Sequence, residues 1–210
     1  MQDLIDKENP DLIFFVEFSQ HHYEALKTLL KAHYPYTNST IWSNKFVGNV
    51  VFSKIKIENW ADDFPQDAWR YGYFSIKHDT TPLYFYLPHM SSPSSKKNFD
   101  MRNKQILTFL NDFNIHRNLH RTRGDKVVLV GDFNTTPWSP WYWRFADVFE
   151  GEFVNITRSF PILFTWKLLN FPVLWAHIDH IFVNKEVSIS DLHQVNVPGS
   201  DHKGFSFEVK

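Results

Sequence analysis

The chain has 210 residues and a formal net charge of −1, with 22 Lys and Arg against 23 Asp and Glu and no cysteine. That charge balance excludes a protein held to nucleic acid by bulk positive charge, and the missing cysteine excludes disulfides, thiol catalysis and zinc–thiolate sites. At 43% hydrophobic residues and 7 Gly the composition suits one α/β or all-β domain with a sizeable core, and no run of about 18 apolar residues offers a membrane span.

Residues 1–6 carry neither the basic region nor the apolar stretch of a signal peptide. No internal repeat or linker interrupts the chain. Residues 4–8 read as the end of a helix closed before Pro10. Residues 11–18 read as a short buried strand with a single acid, Glu17. A lone carboxylate there is costly unless a Lys or Arg pairs with it or it binds a cation. Ser19 is an N-cap for a helix through His33, with Leu26, Leu29 and Leu30 as its apolar stripe. Strands follow at about 46–53, 69–77 and 82–88, the last delivering His89 to a loop. A polar loop spans 91–97. A long helix is expected over 99–117, where Ile106, Leu107, Phe109, Leu110 and Phe113 recur at helical spacing.

Residues 126–131 form a continuous apolar run, the mark of a strand buried on both faces, and the run ends in Gly131-Asp132-Phe133-Asn134. Period-two geometry points Asp132 and Asn134 to one side at the carboxyl end of the strand, where α/β sheets place their chemistry. Taken alone, the same residues also suit a turn leaving the core. An aromatic segment comes next, then strands near 163–167, 178–184, 187–196 and 204–209. Strands in succession with a few long helices indicate two packed sheets flanked by helices.

Several strand ends share one chemistry. Glu17 and Asp132 are joined by Asp179, inside the 178–184 strand, and by the Asp201-His202 pair before the closing strand. Carboxylates, one amide and at least two histidines on apolar strands suit Mg²⁺ or Mn²⁺ with a phosphate better than zinc, because hard cations prefer oxygen. No serine elbow or glycine-rich phosphate loop offers another chemistry.

Gly131-Asp132-Phe133-Asn134, Ile178-Asp179-His180-Ile181 and Ser200-Asp201-His202, with Glu17 ahead of them and His89 between, resemble the endonuclease/exonuclease/phosphatase superfamily, the DNase I-like and exonuclease III-like fold. The run from Gly131 to Pro140 and the Thr165-Trp166 pair are similar to its bacterial YafD-like branch. The resemblance covers residues 8–210. It implies an α/β four-layered sandwich of two packed mixed β-sheets flanked by helices, and a metal-dependent phosphodiesterase. In that reading Glu17 is the main metal ligand, Asp201 completes the metal environment, and Asp132 adjoins the ion while orienting or deprotonating the attacking water. Asn134 holds the scissile phosphate. His202, paired with Asp179, stabilises the phosphorane charge or acts as base, and His89 binds the phosphate or protonates the leaving group. The family's first strand, which carries an Asn, has no counterpart after Met1, so the 1–210 catalytic domain is expected to be incomplete at its N-terminus. The carboxylate partner of His89 stays open among Glu58, Asp62, Asp63 and Asp67.

The abundance of aromatics, 21 Phe, 8 Trp and 8 Tyr, places some of them at a cleft or contact surface. The segment 138–145 follows the Asp132 motif. It reads as a platform for bases, an anchor in a lipid surface, or a short helix packing its rings on a sheet edge. Lys96, Lys97, Arg102 and Lys104 read as a phosphate-backbone contact or as a solvated helix face. The leading function is a phosphodiesterase with nucleic acid among its candidate substrates. The alternatives are a phosphoesterase on lipid headgroups or small esters, and a binding domain that keeps the fold. The expected molecule is a soluble monomer without an obligate protein partner, either whole or the cytoplasmic or extracytoplasmic part of a longer bacterial protein.

Overall fold

The computed structural model describes residues 1–39, 48–61, 71–149, 151–158, 164–167 and 175–210. The first half of the chain runs α1 (Gln2–Glu8), β1 (Leu12–Phe18), α2 (Gln20–Leu30), β2 (Tyr36–Ser39), β3 (Gly48–Ser53), β4 (Ile57–Ala61), β5 (Gly72–His78), β6 (Thr81–Leu87) and α3 (Lys96–Arg123). The second half adds β7 (Lys126–Asp132), α4 (Pro140–Phe149), β8 (Phe153–Asn155), β9 (Trp166–Lys167), β10 (Trp175–Ala176), β11 (Asp179–Asn184), β12 (Ile189–Asn196) and β13 (Lys203–Val209).

One sheet has six strands in the order β4-β5-β6-β7-β11-β8, and it is mixed, since β6 and β7 run parallel while their neighbours pair antiparallel. The helix α3 makes the crossover that a parallel pair requires. A second layer consists of the antiparallel sheets β1-β3-β2 and β12-β13. Period-two alternation explains how the layers stack. Val127 and Leu129 of β7 pack with Ile106, Phe109 and Phe113 of α3 and with Phe145 and Phe149 of α4. Their neighbours Val128 and Val130 face the other way, toward Phe14, Val51, Leu192 and Phe205 of the second layer. In β1, Leu12 and Phe14 join that inner core, whereas Ile13 and Phe15 meet Ile5 of α1 and Tyr23 and Leu30 of α2. The order helix, sheet, sheet, helix is the expected α/β sandwich. It explains why residues 127–130 read as an unbroken apolar run: each of those side chains is worth about 1.5–3 kcal/mol of burial. No described helix is long and apolar enough to cross a membrane.

Four strands, β2, β4, β8 and β10, lack a period-two apolar signal. They are short, all four lie at sheet edges, and β2, β4 and β8 carry polar residues such as Asn38, Asn59 and Asn155. The helix α3 also runs further than its apolar stripe. Ser95 caps it by accepting from the Asn98 N–H at 3.1 Å, so the polar loop ends two residues early. At its other end His120 is buried against Tyr86, and Gly124 closes the helix in the left-handed region at φ 68. The helix α2 begins at the expected Ser19 cap and stops at Leu30. Residues 46, 47, 69, 70 and 163, read as parts of strands, lie outside the described residues.

The tightest backbone approach lies at the end of β7. A Cβ on Gly131 would stand 2.0 Å from the carbonyl oxygen of Pro88, a contact no side chain tolerates. Only glycine lets the chain after β6 run this close to β7, and the approach sets His89 beside Asp132 in a parallel bridge. Gly131→Ala is therefore expected to cost about 2 kcal/mol or more, read from the urea midpoint, because backbone must move to admit the methyl group.

Candidate active site

The ends of β6, β7 and β11 meet at one edge of the six-stranded sheet. Asp132, last residue of β7, is the cross-strand partner of Asp179, first residue of β11. The Met90 N–H donates to the Asp132 carbonyl at 2.9 Å, which ties the loop after β6 to the same point. Glu17 arrives from the second layer on β1. The β1–β3 register shifts between Phe15 and Phe18, and Glu17 takes φ 55 there. That bulge lets Phe15 and Phe18 both pack toward α2, which frees Glu17 to reach His89 at 3.1 Å. His202 stands between β12 and β13, bridged to Trp166 of β9.

Asp132, Asp179 and His202 each present one ligand atom, and these atoms lie within 4.8 Å of one another. The His202 Nδ1–H donates to Asp179 Oδ2 at 2.9 Å, so Nε2 is the ring nitrogen left toward the site. Asp132 is buried, and both its oxygens accept from Asn134: Oδ1 from the backbone N–H at 2.7 Å and Oδ2 from Nδ2 at 2.8 Å. The Asn134 amide also donates to the Met90 carbonyl at 2.9 Å. Asn134 lies beyond the end of β7 at φ 45, so a left-handed turn, and not strand alternation, folds it back on Asp132.

Burial raises the Asp132 carboxyl well above its ordinary range, and the neighbouring Asp179 charge pushes it further. Burial alone would depress the His202 imidazole. The hydrogen bond and charge of Asp179, with the charges of Asp132 and Asp201, outweigh it and raise His202 to about 9. Glu17 is held low by its hydrogen bond to His89. His180 is driven down to about 3 by burial and is neutral. Its ring bonds Thr135 O and Asn155 Nδ2 and supports the loop after Asp132.

The structure thus gathers Asp132, Asn134, Asp179 and His202, with His89 and Glu17 paired at the border. Asp201 diverges from its neighbour His202: its carboxylate is exposed and accepts from the Trp166 indole Nε1–H at 2.9 Å. Neither Glu17 nor Asp201 belongs to the close three-residue group. For His89 the structure supplies Glu17 as a carboxylate partner. Of the expected partners, Glu58 lies on β4 beside Lys56, and Asp62, Asp63 and Asp67 fall outside the described residues.

Two supporting residues carried no sequence signal of their role. The Thr165 hydroxyl, fully buried, accepts from the N–H groups of Ile178 and Asp179 at 3.0 Å each and so sets the start of β11. Arg102, read within a basic run, is buried and donates to the Asn134 carbonyl at 2.8 Å, whereas Lys96, Lys97 and Lys104 are exposed. A cavity of about 280 Å³ opens beside Asn134, lined by Ser92, Arg102, Thr135, Ser139, Trp166 and Ile178 among others. In α4, Tyr142, Phe145 and Phe149 pack on the sheet, while Trp143 and, just ahead of the helix, Trp138 stay 43% and 67% exposed.

The donor set fits a hard divalent cation. A buried carboxylate facing a second one, with no cysteine near, is an arrangement whose repulsion a bound cation relieves.

A family model described as Endonuclease/Exonuclease/phosphatase family matches residues 1–202. The fold is similar to that of D. rerio TDP2 complexed with single strand DNA product, at 16% identity and a TM-score of 0.75 over 99% of this chain and 89% of that one. It is also similar to the 3' phosphatase NExo from Neisseria bound to product DNA hairpin (16% identity, TM-score 0.75, 100% of this chain and 92% of that one). The human Nocturnin catalytic domain with bound sulfate anion is a third (18% identity, TM-score 0.73, 100% and 84%). No curated protein sequence matches the chain.

Proposed function

The chain belongs to the Endonuclease/Exonuclease/phosphatase family, and from that premise we propose that it is a divalent-metal-dependent phosphodiesterase to whose catalytic domain residues 1–210 belong. The observation that carries the proposal is the convergence of Asp132, Asp179 and His202 within 4.8 Å at the strand ends. The run from Gly131 to Pro140 with Thr165-Trp166 supports placing it in the YafD-like branch.

Mg²⁺ or Mn²⁺ would be held by Asp132 and the facing Asp179, with Glu17 and Asp201, outside that close group, turning toward it, and when bound it would supply charge neutralisation at a phosphate oxygen. The chain's own groups account for the rest. A carboxyl raised by burial is a stronger proton acceptor than an ordinary carboxylate, so Asp132 is the base for the attacking water. Asn134 aims it by donating to both of its oxygens. His202 is protonated at neutral pH and anchored through Nδ1 by Asp179. Its Nε2–H therefore donates to the phosphorane oxygens and does not abstract a proton. His89, oriented by Glu17, serves the phosphate or the leaving oxygen.

Nucleic acid is the substrate class to test first, supported by the two structures of this fold that hold DNA. The exposed Trp138 and Trp143 are the observation that favours a second reading, a lipid-headgroup phosphoester at a bilayer surface. In a panel of single- and double-stranded DNA, RNA, phospholipid vesicles and bis-p-nitrophenyl phosphate, Mg²⁺ or Mn²⁺ is expected to support cleavage of at least one member. EDTA is expected to abolish it. No cleavage with either metal would reject the proposal.

A further inference from the structure

Helix α3 turns polar side chains inward where it passes behind the site. Arg102, Asn103 and Gln105 are only 4%, 8% and 3% exposed. Polar groups on the core side of a helix are costly to desolvate, so their partners show what they hold. The Arg102 Nη1–H donates to the Asn134 carbonyl at 2.8 Å. Its Nε and Nη2 both donate to Asn103 Oδ1, at 3.2 and 2.8 Å, and Phe99 lies 4.8 Å from the guanidinium. Three contacts in different directions lock the fork in place, and among the described residues no carboxylate pairs with it. Gln105 grips the neighbouring loop. It accepts from the Ser91 N–H at 2.7 Å and donates to the Ser91 hydroxyl at 3.0 Å, two residues after His89. One helix face thus clamps both loops that carry the site.

We propose that Arg102, seconded by Gln105, is a positioning residue of the reaction: it holds Asn134 in its left-handed turn and so keeps the Asn134 donors on Asp132. The proposal rests on the phosphodiesterase reading of the site. Asn134 at φ 45 takes a left-handed conformation that asparagine tolerates better than most side chains but that still costs energy its contacts must offset. The bond to Arg102 is that contact from the helix side. Without it Asn134 relaxes, Asp132 loses aligned donors on both oxygens, and the base drifts from the line of attack. Lysine keeps the charge but cannot reach Asn134 O and Asn103 Oδ1 together, because it lacks the planar fork.

The test uses Arg102→Met, Arg102→Lys, Asn134→Ala and the Arg102→Met/Asn134→Ala double variant, each on the full chain with the best substrate of the panel. Arg102→Met is expected to lose about a hundredfold in kcat and Arg102→Lys about tenfold, with KM unchanged within about twofold. The double variant is expected to be no slower than Asn134→Ala alone, because both changes act on one unit. Wild-type kcat in Arg102→Met, or losses that multiply in the double variant, would overturn the proposal. Amide exchange at the Asn134 N–H, measured without metal, decides the matter independently of turnover. Protection is expected to fall in Arg102→Met and to be intermediate in Arg102→Lys, and unchanged protection overturns the positioning role. If the wild-type chain cleaves nothing, the phosphodiesterase reading fails while the exchange result still decides this one. If the methionine variant does not fold, the lysine variant carries both measurements.

Discussion

Asp132→Asn is expected to lose about a thousandfold in phosphodiester hydrolysis while keeping, in EDTA, at least the thermal stability of the wild-type chain. The two halves of this prediction have one cause. Asp132 is buried beside Asp179, and the fold raises its carboxyl pKa, so the ionised base is present at the expense of stability. A raised folded pKa means that the native state binds the proton more tightly than the unfolded chain. The Asp132 contribution is therefore favourable in acid and is lost as pH rises. The asparagine variant should show a flatter stability profile over that rise. Against this relief stands one altered hydrogen bond to Asn134, worth about 1 kcal/mol. Added Mg²⁺ is expected to raise the melting temperature of the wild type and to leave that of the variant nearly unchanged. A variant with wild-type turnover would remove Asp132 from the chemistry, and one destabilised by several kcal/mol in EDTA would show that its charge serves the fold.

The same residue shows what the sequence makes legible. Residues 127–130 are apolar on both faces, so β7 and its buried place between two layers follow from pattern alone. Period-two geometry also led to the pairing of Asp132 with Asn134, but by a different path from the one the chain takes. The strand stops at Asp132, and a left-handed turn folds Asn134 back. Alternation does separate Asp201 from His202. Adjacent residues at a strand start point to opposite sides, and Asp201 goes to Trp166 while His202 goes to Asp179. What stayed hidden depends on contacts between distant parts of the chain. Glu17 and His89 are 72 residues apart, and their pairing rests on a bulge in β1 that has no glycine to announce it. Arg102 sits among exposed lysines in the sequence. Only the fold brings the Asn134 loop down on it. The strands β2, β4 and β8 are too short and polar to show a period, and β10 is only two residues long.

Breaking the Asp179–His202 pair should move both the pH dependence and the rate. In the metal-free wild type, the His202 imidazole is expected to titrate near 9, and Asp179→Asn is expected to return it toward the ordinary value of about 6.5. The sign follows from the fold holding the protonated form. His202 contributes stability that is fully present below pH 6.5 and disappears as pH rises through about 9, an effect of order 3 kcal/mol for a side chain 26% exposed. Urea unfolding at pH 6.5 and at pH 9.5 should therefore differ in the wild type by more than it does in Asp179→Asn. In the proposed reaction the imidazolium is the form that would donate to a phosphorane oxygen, so wild-type activity should hold through neutral pH and fall above about 9. In Asp179→Asn the fall should begin near neutrality, with a loss of about thirtyfold at pH 8, and His202→Ala should lose about a thousandfold at neutral pH and less above about 9, where the wild type itself falls. An NMR inflection near 6.5 in the wild type would deny His202 the role of a fixed charge. An unshifted inflection in Asp179→Asn would assign the raised pKa to Asp132 and Asp201, the other carboxylates whose charge raises it. The pair works as a unit in this account. On the proposed function, Asp179 keeps a proton on a histidine that would otherwise shed it at neutral pH, and that proton would meet the charge of the phosphate.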